Sequence, residues 1–562
     1  MVNKDEGFED QVKCDVAIVG GGVSGLYCAM NLMTDPRTVD RGIKNIVLLE
    51  GSDRFGGRFD LDSVNDASGI FRFAYKDPKS DEISHMPLMS QLVTDLGMQD
   101  DVVKETVSTE DTSVGYFGGC HVTNLDVKLN PTIWKDLFHL KDGEEIRSVD
   151  DADIVIYKRL LEHNKEKLKD KYPNRAAIIL AQKDQKSLQD PDFWTFFKNE
   201  LTWPIGSQEV ALRDLPMSTL VSVMKFSPSF SCLMDTKSSS RDAGTYLQNQ
   251  MSMKMLTTEF YHLNSGWTSM INKIEKQLLD LDGTNGINIK LRRNCCANKL
   301  MVMKDEAEPI YLGFEEGSKT AVMAADKVIM AVPPPAVEKI SLRLGDTETY
   351  KAGCDAIKKM CSKVSGEDMT FINLFFKSDW WNKEGDPKMT GPSCSDLPCS
   401  IIYPFYSSCA KKSCSGCKTC SNDPSPVGLT ILSRRKNAEF WASLQRIGNP
   451  YNLCTIKNPE LTPTSEAVVD VAMDQLKEIF RRGVPPQPVM ATYRRLDKDS
   501  KYGYPSYCWK VGVVGSELEG PKPIPDRNLY FCHDAWSDYQ GWVEGSLRST
   551  KKVVERVLEK SD

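Results

Sequence analysis

A glycine-rich turn near the start of the chain constrains the fold more than any other feature. Residues 15–19 form a short apolar run that is typical of a buried strand, and the chain then passes through Gly20, Gly22 and Gly25. Residues 26–33 follow with helical spacing and no helix-breaking residue. In such a unit the first glycine permits the tight turn, the second admits a pyrophosphate and the third lets the helix pack on the sheet. The unit therefore predicts a site for the phosphates of a dinucleotide.

A second strand completes this unit and supplies an acidic residue. The apolar run at 46–49 ends in Glu50, 25 positions after the last glycine, where a carboxylate can accept hydrogen bonds from ribose hydroxyls. We expect the amides of Val23 and Ser24, at the positive end of the helix, to bind phosphates, and Gly51 to join Glu50 at the cofactor. A glycine turn kept only for structural reasons is the alternative.

Composition places the chain among soluble globular proteins. Its 562 residues include 40% apolar and 27% charged side chains, enough to bury a sizeable core. The net charge of −7 argues against a nucleic-acid-binding protein, which normally carries a basic surface. No apolar run is long enough to span a bilayer, and the N-terminus lacks the apolar region of a signal peptide. We therefore expect a soluble protein, with the cytoplasm favoured.

The cysteines do not decide between a reducing and an oxidising cellular compartment, and they allow several structures for one cysteine-rich insert. Of the 17 cysteines, most are scattered, as in proteins of a reducing compartment, but six crowd into one insert. Three alternatives remain for these six cysteines: local disulfides, plain thiols, or thiolate ligation of zinc or an iron–sulfur cluster. Disulfides would suit a secreted mature protein. The histidines show no metal-ligating spacing, and we predict no metal site from them. The clustered cysteines are Cys394, Cys399, Cys409, Cys414, Cys417 and Cys420.

A second glycine segment follows Glu50. Arg54, Gly56, Gly57 and Arg58 belong to the run R-F-G-G-R, in which two glycines admit another part of the same cofactor and two arginines flank the phosphates. This run, placed after an acidic strand end, resembles the flavin-containing amine oxidoreductases, which include L-amino-acid, monoamine and polyamine oxidases. The resemblance implies FAD as the cofactor.

The end of the chain resembles the same family. In the family's closing segment an acidic residue, here Asp534, meets the flavin ribityl chain. In the pattern G-W-x-E-G, Gly541 and Val543 bring backbone amides to the flavin, and Trp542 brings an indole beside its ring. Cys296 stands where the family's backbone usually meets the adenine. The resemblance therefore reaches from the first to the last part of the chain.

The substrate side is similar to the L-amino-acid oxidase branch. Gly69, Ile70, Phe71 and Arg72 match a segment E-x-G-G-M-R-F, whose arginine binds the substrate carboxylate. A planar guanidinium suits a carboxylate because it donates two parallel hydrogen bonds. The resemblance implies that the first three residues line the cofactor and that Arg72 anchors the substrate; a surface or ion-paired arginine is the alternative. Residues 391–398 resemble an S-x-T-D-L-P segment of the same branch.

Departures from the family pattern bear on the chemistry. The family usually has a lysine ten residues before a tryptophan, holding a water near flavin N5, and Phe371 occupies that place before Trp381. Ile70 stands where the family has glycine. These changes put rapid oxidation by oxygen in doubt. Tyr504, rather than Cys508, falls at the flavin-attachment cysteine of monoamine oxidases, so we predict FAD held without a covalent bond.

The resemblance implies an α/β fold with a Rossmann-like FAD-binding domain assembled from discontinuous segments. A mixed α+β substrate-binding domain, carrying the cysteine-rich insert at about 394–420, and a helical subdomain are inserted into it. We expect one long strand over residues 287–302. We assign residues 10–75, 258–345 and 500–562 to the FAD-binding domain, 76–139 and 346–499 to the substrate-binding domain, and 140–257 to the helical subdomain.

The leading functional prediction is FAD-dependent oxidation of an L-amino acid or related amine. Hydride would pass from the substrate α-carbon to flavin N5, the imine would hydrolyse to a keto acid and ammonia, and oxygen would yield hydrogen peroxide. One alternative is an isomerase that removes and returns hydride on a polyunsaturated fatty acid, with Arg72 binding the fatty-acid carboxylate. Another is a FAD-stabilised protein without catalysis. The partners we expect are a small carboxylate-bearing substrate, oxygen and, as an option, a second copy of the chain in a homodimer.

Overall fold

The computed structural model describes residues 12–559 with internal gaps. The predictions for Gly69, Ile70 and Phe71 fall outside the described residues. The gaps are 60–71, 79–83, 85, 105–112, 124–125, 127–128, 131, 146–151, 174–190, 227–240, 249–258, 303–307, 345–347, 387, 390, 407–413, 416–426, 452–454, 457–461, 515–517 and 519.

An eight-stranded sheet, called here the first sheet, carries the glycine-rich turn. Val12–Val19 pairs in parallel with Asn45–Leu49 on one side and with Lys319–Met330 on the other. Leu529–Phe531, near the end of the chain, also pairs in parallel with Lys319–Met330. The start, middle and end of the chain therefore share one sheet. Its other strands are Asn288–Arg292, Cys295–Val302, Ile310–Glu316 and Ser341–Leu344.

Side-chain alternation along Val12–Val19 explains why both faces of the first sheet are covered. Val16 and Ile18 belong to the hydrophobic cluster formed with the helices that follow the glycine turn and that close the chain. Ala17 and Val19 belong to the cluster on the opposite face. Successive side chains of a strand point to opposite faces, so a continuous apolar run is buried on both.

A second eight-stranded sheet is built around Met369–Phe376, every residue of which is buried. Met369 and Phe371 face a cluster formed with helices from the 133–248 region, whereas Ile372 and Leu374 face a cluster on the other side. The sheet therefore separates two apolar cores. Its strand order is Thr462–Pro463, Met490–Leu496, Met369–Phe376, Val427–Arg434, Ile401–Phe405, Ser393–Ser395, Val114–Phe117 and Cys120–Thr123.

Short strand pairs and helices connect the two sheets. The region predicted as a helical subdomain also holds a strand pair, Thr202–Ile205 with Gln208–Ala211. The other short pairs are Val102–Lys104 with Tyr261–Leu263, Val364–Glu367 with Ser506–Trp509, and Cys414–Ser415 with Thr455–Ile456. The helices are Val23–Thr34, Arg37–Asp40, Pro87–Asp95, Ile133–Leu137, Ala152–His163, Lys165–Lys171, Pro191–Glu200, Met217–Val223, Trp267–Asp280, Pro334–Lys339, Glu348–Ser362, Arg435–Gln445, Glu466–Phe480 and Val543–Leu558.

The prediction of one long strand over residues 287–302 is wrong. Asn288–Arg292 pairs with Asn45–Leu49, but Cys295–Val302 pairs with different neighbours in the same sheet. Asn294, at a φ of 57°, turns the chain between them. Asparagine enters this left-handed region more readily than most residues do, so it can end a strand without glycine or proline. The predicted domain boundaries stay predictions.

Candidate cofactor and active site

The first glycine turn has the close approaches that its spacing predicts. A Cβ on Gly20, whose φ is 104°, would lie 2.5 Å from the carbonyl oxygen of Ala331, and one on Gly25 would lie 1.9 Å from the carbonyl oxygen of Gly20. A Cβ on Gly22 would meet no atom within 4 Å. The first and third glycines are therefore needed by the protein itself, whereas the second faces open space.

The helix that begins at Val23 has no side-chain cap on its first turn. Gly22 is its N-cap residue and carries no side chain that could accept a hydrogen bond from these amides. Val23 and Ser24, predicted to bind phosphates, open this helix. An uncapped helix N-terminus beside an open glycine suits an anion, because amide donors and the positive end of the helix dipole point toward it. These residues fit a pyrophosphate.

Glu50 is held in place by protein donors at the end of its strand. Its Oε2 accepts a hydrogen bond from the amide of Gly21 at 2.8 Å, and its Oε1 accepts two from the amide and hydroxyl of Ser52 at 2.7 Å each. A carboxylate oxygen accepts about two hydrogen bonds, so Oε2 retains one position for a ribose hydroxyl. Gly51 lies beside Cys296, since a Cβ on Gly51 would sit 3.6 Å from the Cα of Cys296. The structure thus brings together the residues predicted for ribose and adenine.

The second glycine segment packs against the first. The amide of Gly56 donates to the carbonyl oxygen of Gly21 at 2.9 Å, and a Cβ on Gly57 would lie 3.4 Å from the Cα of Gly22. Both Gly56 and Gly57 have positive φ, at 109° and 57°. Arg54 donates to the carbonyl oxygen of Gly57 at 3.0 Å. The two glycine segments therefore adjoin at the open position of Gly22, as one extended cofactor would require.

Arg58 turns away from this turn toward the closing segment. Its Nη2 forms an ion pair with Oδ1 of Asp534, whose side chain is only 2% exposed, and its Nη1 donates to the carbonyl oxygen of Pro505 at 2.9 Å. Burial alone would raise the pKa of Asp534, but the Arg58 guanidinium and His533 hold it below its usual value. The predicted phosphate-flanking arginine therefore acts first as the partner of the predicted ribityl-binding carboxylate.

His533 completes this buried network as a neutral side chain. Its Nε2 lies 3.2 Å from Nη2 of Arg58, and its Nδ1 lies 3.1 Å from Oδ1 of Asp534. A guanidinium has only donors, so the lone pair belongs on Nε2 and the proton on Nδ1. The other tautomer, in which Nδ1 accepts from the Ala535 amide at 3.1 Å, would set an N–H against the guanidinium. Burial lowers the pKa of His533 to about 4.

The closing segment carries the predicted flavin neighbours in one short stretch. The amide of Gly541, with φ of 80°, donates to Oδ2 of Asp534 at 3.3 Å. Trp542 follows as the N-cap residue of the last helix, and Val543 is the first residue of that helix. The structure thus brings Asp534 close to Gly541, Trp542 and Val543, and the last helix begins with its amide donors at this place. Their contacts with the flavin stay a prediction.

Arg72 and Trp542 are connected by an aromatic ring that the sequence analysis missed. The guanidinium carbon of Arg72 lies 4.2 Å from the ring centroid of Phe260. That ring stacks on Trp542 with centroids 6.0 Å apart and planes 11° apart. All three side chains are half-buried. The predicted substrate anchor and the indole predicted beside the flavin ring, the two residues proposed for catalysis, therefore both contact one phenyl ring.

Phe371, at the place of the family's lysine, is part of the apolar core. Its side chain is 1% exposed and lies in the same cluster as Met369. Cys508 is buried on the strand Ser506–Trp509, and Tyr504 packs on Gly366, where a Cβ would lie 1.9 Å from the tyrosine ring. Whether FAD is held without a covalent bond stays a prediction.

The cysteine cluster is only partly described. Cys394 and Cys399 are buried in separate hydrophobic clusters. Cys409, Cys417 and Cys420 lie outside the described residues, as does the side chain of Cys414. Within the described ranges, no group of three or more His, Cys, Asp or Glu side chains could hold a metal ion. The alternatives for this insert stay open.

Comparison with known proteins decides the family. Residues 23–558 match the family described as flavin containing amine oxidoreductase. The chain belongs to this family. FAD is its cofactor, as predicted. A bifunctional amine oxidase, as it is named, of Dictyostelium discoideum is 26% identical over 197 residues, which are 34% of this chain but 16% of that protein. The chain thus spans about a sixth of this relative's length.

Solved structures of the family share the fold. Wild-type putrescine oxidase bound to putrescine has a TM-score of 0.59 at 14% identity, covering 98% of this chain and 100% of the other. Cyclohexylamine oxidase from Brevibacterium oxydans has a TM-score of 0.54 at 13% identity, covering 97% and 98%. These likenesses confirm the predicted α/β fold class. In the described part of the chain, no helix is both apolar and long enough to pass through a bilayer.

Proposed function

We propose that this flavoprotein oxidises the C–N bond of a small carboxylate-bearing amine, an L-amino acid in the first instance. The observation that supports this is the stack of Arg72, Phe260 and Trp542. Cation–π attraction to the Phe260 ring would hold the Arg72 guanidinium in place, and a guanidinium carries planar N–H donors that form parallel pairs. A fork held in this way is suited to a carboxylate.

The chain's own residues would bind and orient the two reactants. Gly20 and Gly25 would hold the turn, Gly22 with Gly56 and Gly57 beside it would leave room for the cofactor phosphates, and Glu50 would receive the ribose. Bound FAD supplies the two-electron acceptor for hydride from the substrate, and oxygen would then take up the electrons to give hydrogen peroxide. Arg72 would fix the carboxylate, so that the α-carbon lies on the Trp542 side. Further proposed cofactor contacts are Val23, Ser24, Gly51, Arg54, Arg58, Gly69, Ile70, Phe71, Arg72, Cys296, Asp534, Gly541, Trp542 and Val543.

A peroxide assay tests the proposal directly. We expect peroxide from an L-amino acid and much less from the amine that lacks its carboxylate, because only the former can engage Arg72. Equal rates with both compounds would refute the carboxylate requirement while leaving amine oxidation standing.

A second function is favoured by one observation, the buried Phe371. An apolar residue there cannot replace an ammonium that holds a water, and fast use of oxygen would suffer. An isomerase acting on a polyunsaturated fatty acid needs no oxygen, because hydride is removed and returned. A rise in conjugated-diene absorbance with such a fatty acid, without peroxide, would decide for the isomerase.

A further inference from the structure

Four charged side chains, of which Glu367 and Arg241 are buried and the other two partly exposed, form a group that no part of the proposed function uses. We call Glu367, Arg241, Arg434 and Arg435 the Glu367 cluster. The side chain of Glu367 is fully buried. Its Oε1 pairs with Nη2 of Arg435 at 2.5 Å, and its Oε2 lies 3.7 Å from Nη1 of Arg434 and accepts a hydrogen bond from Oγ of Ser506 at 3.2 Å.

Arg241 is the least satisfied member of the cluster. It is 9% exposed, and its Nε is buried without a hydrogen-bond partner among the described residues. Glu367 is its main electrostatic partner, yet the two side chains form no ion pair within 4.0 Å in the described structure. The Nε of Arg434 is also buried without such a partner. A buried donor left unpaired is costly.

The charges within the cluster do not balance. Three guanidinium groups face one carboxylate, which leaves a net charge of +2. The nearby Arg495 does not change this balance, because it has its own carboxylate partners in Asp368, Glu439 and Asp497. Arg434 and Arg435 reach solvent, with 27% and 18% of their side chains exposed, so the uncompensated charge is most costly at the buried Arg241, where an anion would relieve it.

The cluster reaches the predicted flavin-binding stretch. A Cβ on Gly541 would lie 3.8 Å from Nη2 of Arg241 and 3.7 Å from Cβ of Ser506. Gly541 precedes Trp542, which leads through Phe260 to Arg72. Arg241 thus lies beside the Gly541–Trp542 stretch directly, and Arg72 is connected to the same stretch through Phe260.

We propose that the Glu367 cluster, through Arg241, binds a second anionic group of the substrate. This rests on the proposed function, in which Arg72 holds the first carboxylate. The substrate class is then an amino acid with two carboxylates. A planar guanidinium with an unpaired Nε–H is suited to a carboxylate, because Nε–H and one Nη–H form a parallel donor pair.

Equilibrium binding of a non-reacting compound tests the site without turnover. The FAD-loaded protein is titrated with glutarate and, separately, with its half-amide, which has the same shape and one carboxylate. Flavin absorbance and the thermal midpoint report binding. We expect glutarate to bind about 10- to 100-fold more tightly, the range of a charge-assisted hydrogen bond. Equal affinities in the wild-type protein would overturn the proposal.

Variants assign the effect to the cluster. Arg241→Met should remove the preference for glutarate, and Arg241→Lys should restore part of it. Arg213→Met is the matched control, because the Arg213 side chain is 43% exposed and pairs with Asp214 outside the cluster, and it should keep the preference. Glu367→Gln should tighten glutarate binding by raising the net positive charge, a gain that a purely structural role would not produce. Unchanged glutarate preference in Arg241→Met and weaker binding in Glu367→Gln would each contradict the proposal.

The two proposals fail in different ways. Loss of all amine oxidation together with a retained glutarate preference would refute the proposed function and leave the anion site standing. Oxidation of L-glutamine with a KM no higher than that of L-glutamate would overturn the dicarboxylate assignment and leave amine oxidation standing.

Discussion

Arg58, which is partly exposed, forms an ion pair with the buried carboxylate of Asp534, 476 positions away in the chain. Arg58 belongs to the second glycine segment and Asp534 to the closing segment, so the pair ties together two of the separated parts that build the candidate cofactor site. The pair stands beside Gly541, whose amide donates to the same carboxylate. The network therefore connects the segment predicted to bind the phosphates with the segment predicted to bind the flavin.

Arg58→Met should strongly destabilise the folded protein. The substitution leaves the Asp534 carboxylate buried without its cation. Removing one partner of a buried ion pair typically lowers the free energy of unfolding by about 3 kcal/mol. Chemical unfolding of the cofactor-free protein measures the change. Arg446→Met, on an exposed arginine, is the control and should have little effect. An Arg58→Met protein as stable as the control would show that the pair contributes nothing.

His533 should make stability depend on acid pH. Its folded pKa is about 4 against an ordinary value of 6.5, so the unfolded chain takes up a proton in this range while the folded protein does not. The contribution of neutral His533 to the free energy of unfolding is fully present above pH 6.5. It is lost as the pH falls toward 4, by up to about 3 kcal/mol. His533→Gln, whose Oε1 can accept from Arg58, should remove this part of the slope. If the free energy of unfolding fell equally between pH 6.5 and 4 in the wild-type protein and in His533→Gln, the low folded pKa of His533 would be contradicted.

The sequence was sufficient for the cofactor segments because their requirements are local. Nearby backbone atoms leave no room for a side chain at Gly20 or Gly25. Glycines required in this way recur at fixed intervals in the sequence, which makes the motif recognisable. Glu50 follows from the end of an apolar run in the same way.

The Glu367 cluster and Phe260 could not be predicted in this manner. Arg241 and Glu367 come near each other only when segments that are far apart in the sequence pack together. Neither residue lies in a recognisable motif. The turn at Asn294 was missed for a different reason: it has neither glycine nor proline to mark it. Contacts that form only through tertiary packing leave no local sequence pattern. A turn at a residue other than glycine or proline with left-handed backbone angles leaves none either.

Gly22→Val should remove FAD without unfolding the chain. No atom lies within 4 Å of a Cβ at this position, so the side chain fits the cofactor-free protein but occupies the place of the pyrophosphate. Flavin absorbance per chain and the thermal midpoint of the cofactor-free form measure the two effects. Gly25→Ala is the contrasting variant and should impair folding, because its Cβ would lie 1.9 Å from a carbonyl oxygen. Full FAD in Gly22→Val would refute the placement of the phosphates.

Arg72→Ala should weaken capture of a carboxylate substrate by about one to two orders of magnitude, since a charge-assisted pair contributes roughly 1.5–3 kcal/mol. Arg72→Lys should recover only part, because an ammonium lacks the planar fork. FAD per chain should stay close to that of the wild-type protein. Steady-state kinetics as a function of substrate concentration give the comparison. Wild-type kinetics in Arg72→Ala would show that Arg72 has a structural role only.

Reduction of the bound flavin in the absence of oxygen is the decisive measurement for amine oxidation by this chain. The FAD-loaded protein is mixed anaerobically with L-amino acids, with the amines that lack their carboxylates, and with polyunsaturated fatty acids, and the flavin absorbance is followed. We expect an L-amino acid to bleach the flavin faster than its matching amine does, and the spectrum of the oxidised flavin to return when oxygen is admitted. A protein that carries a full complement of FAD and is bleached by no amine or amino acid would contradict this expectation.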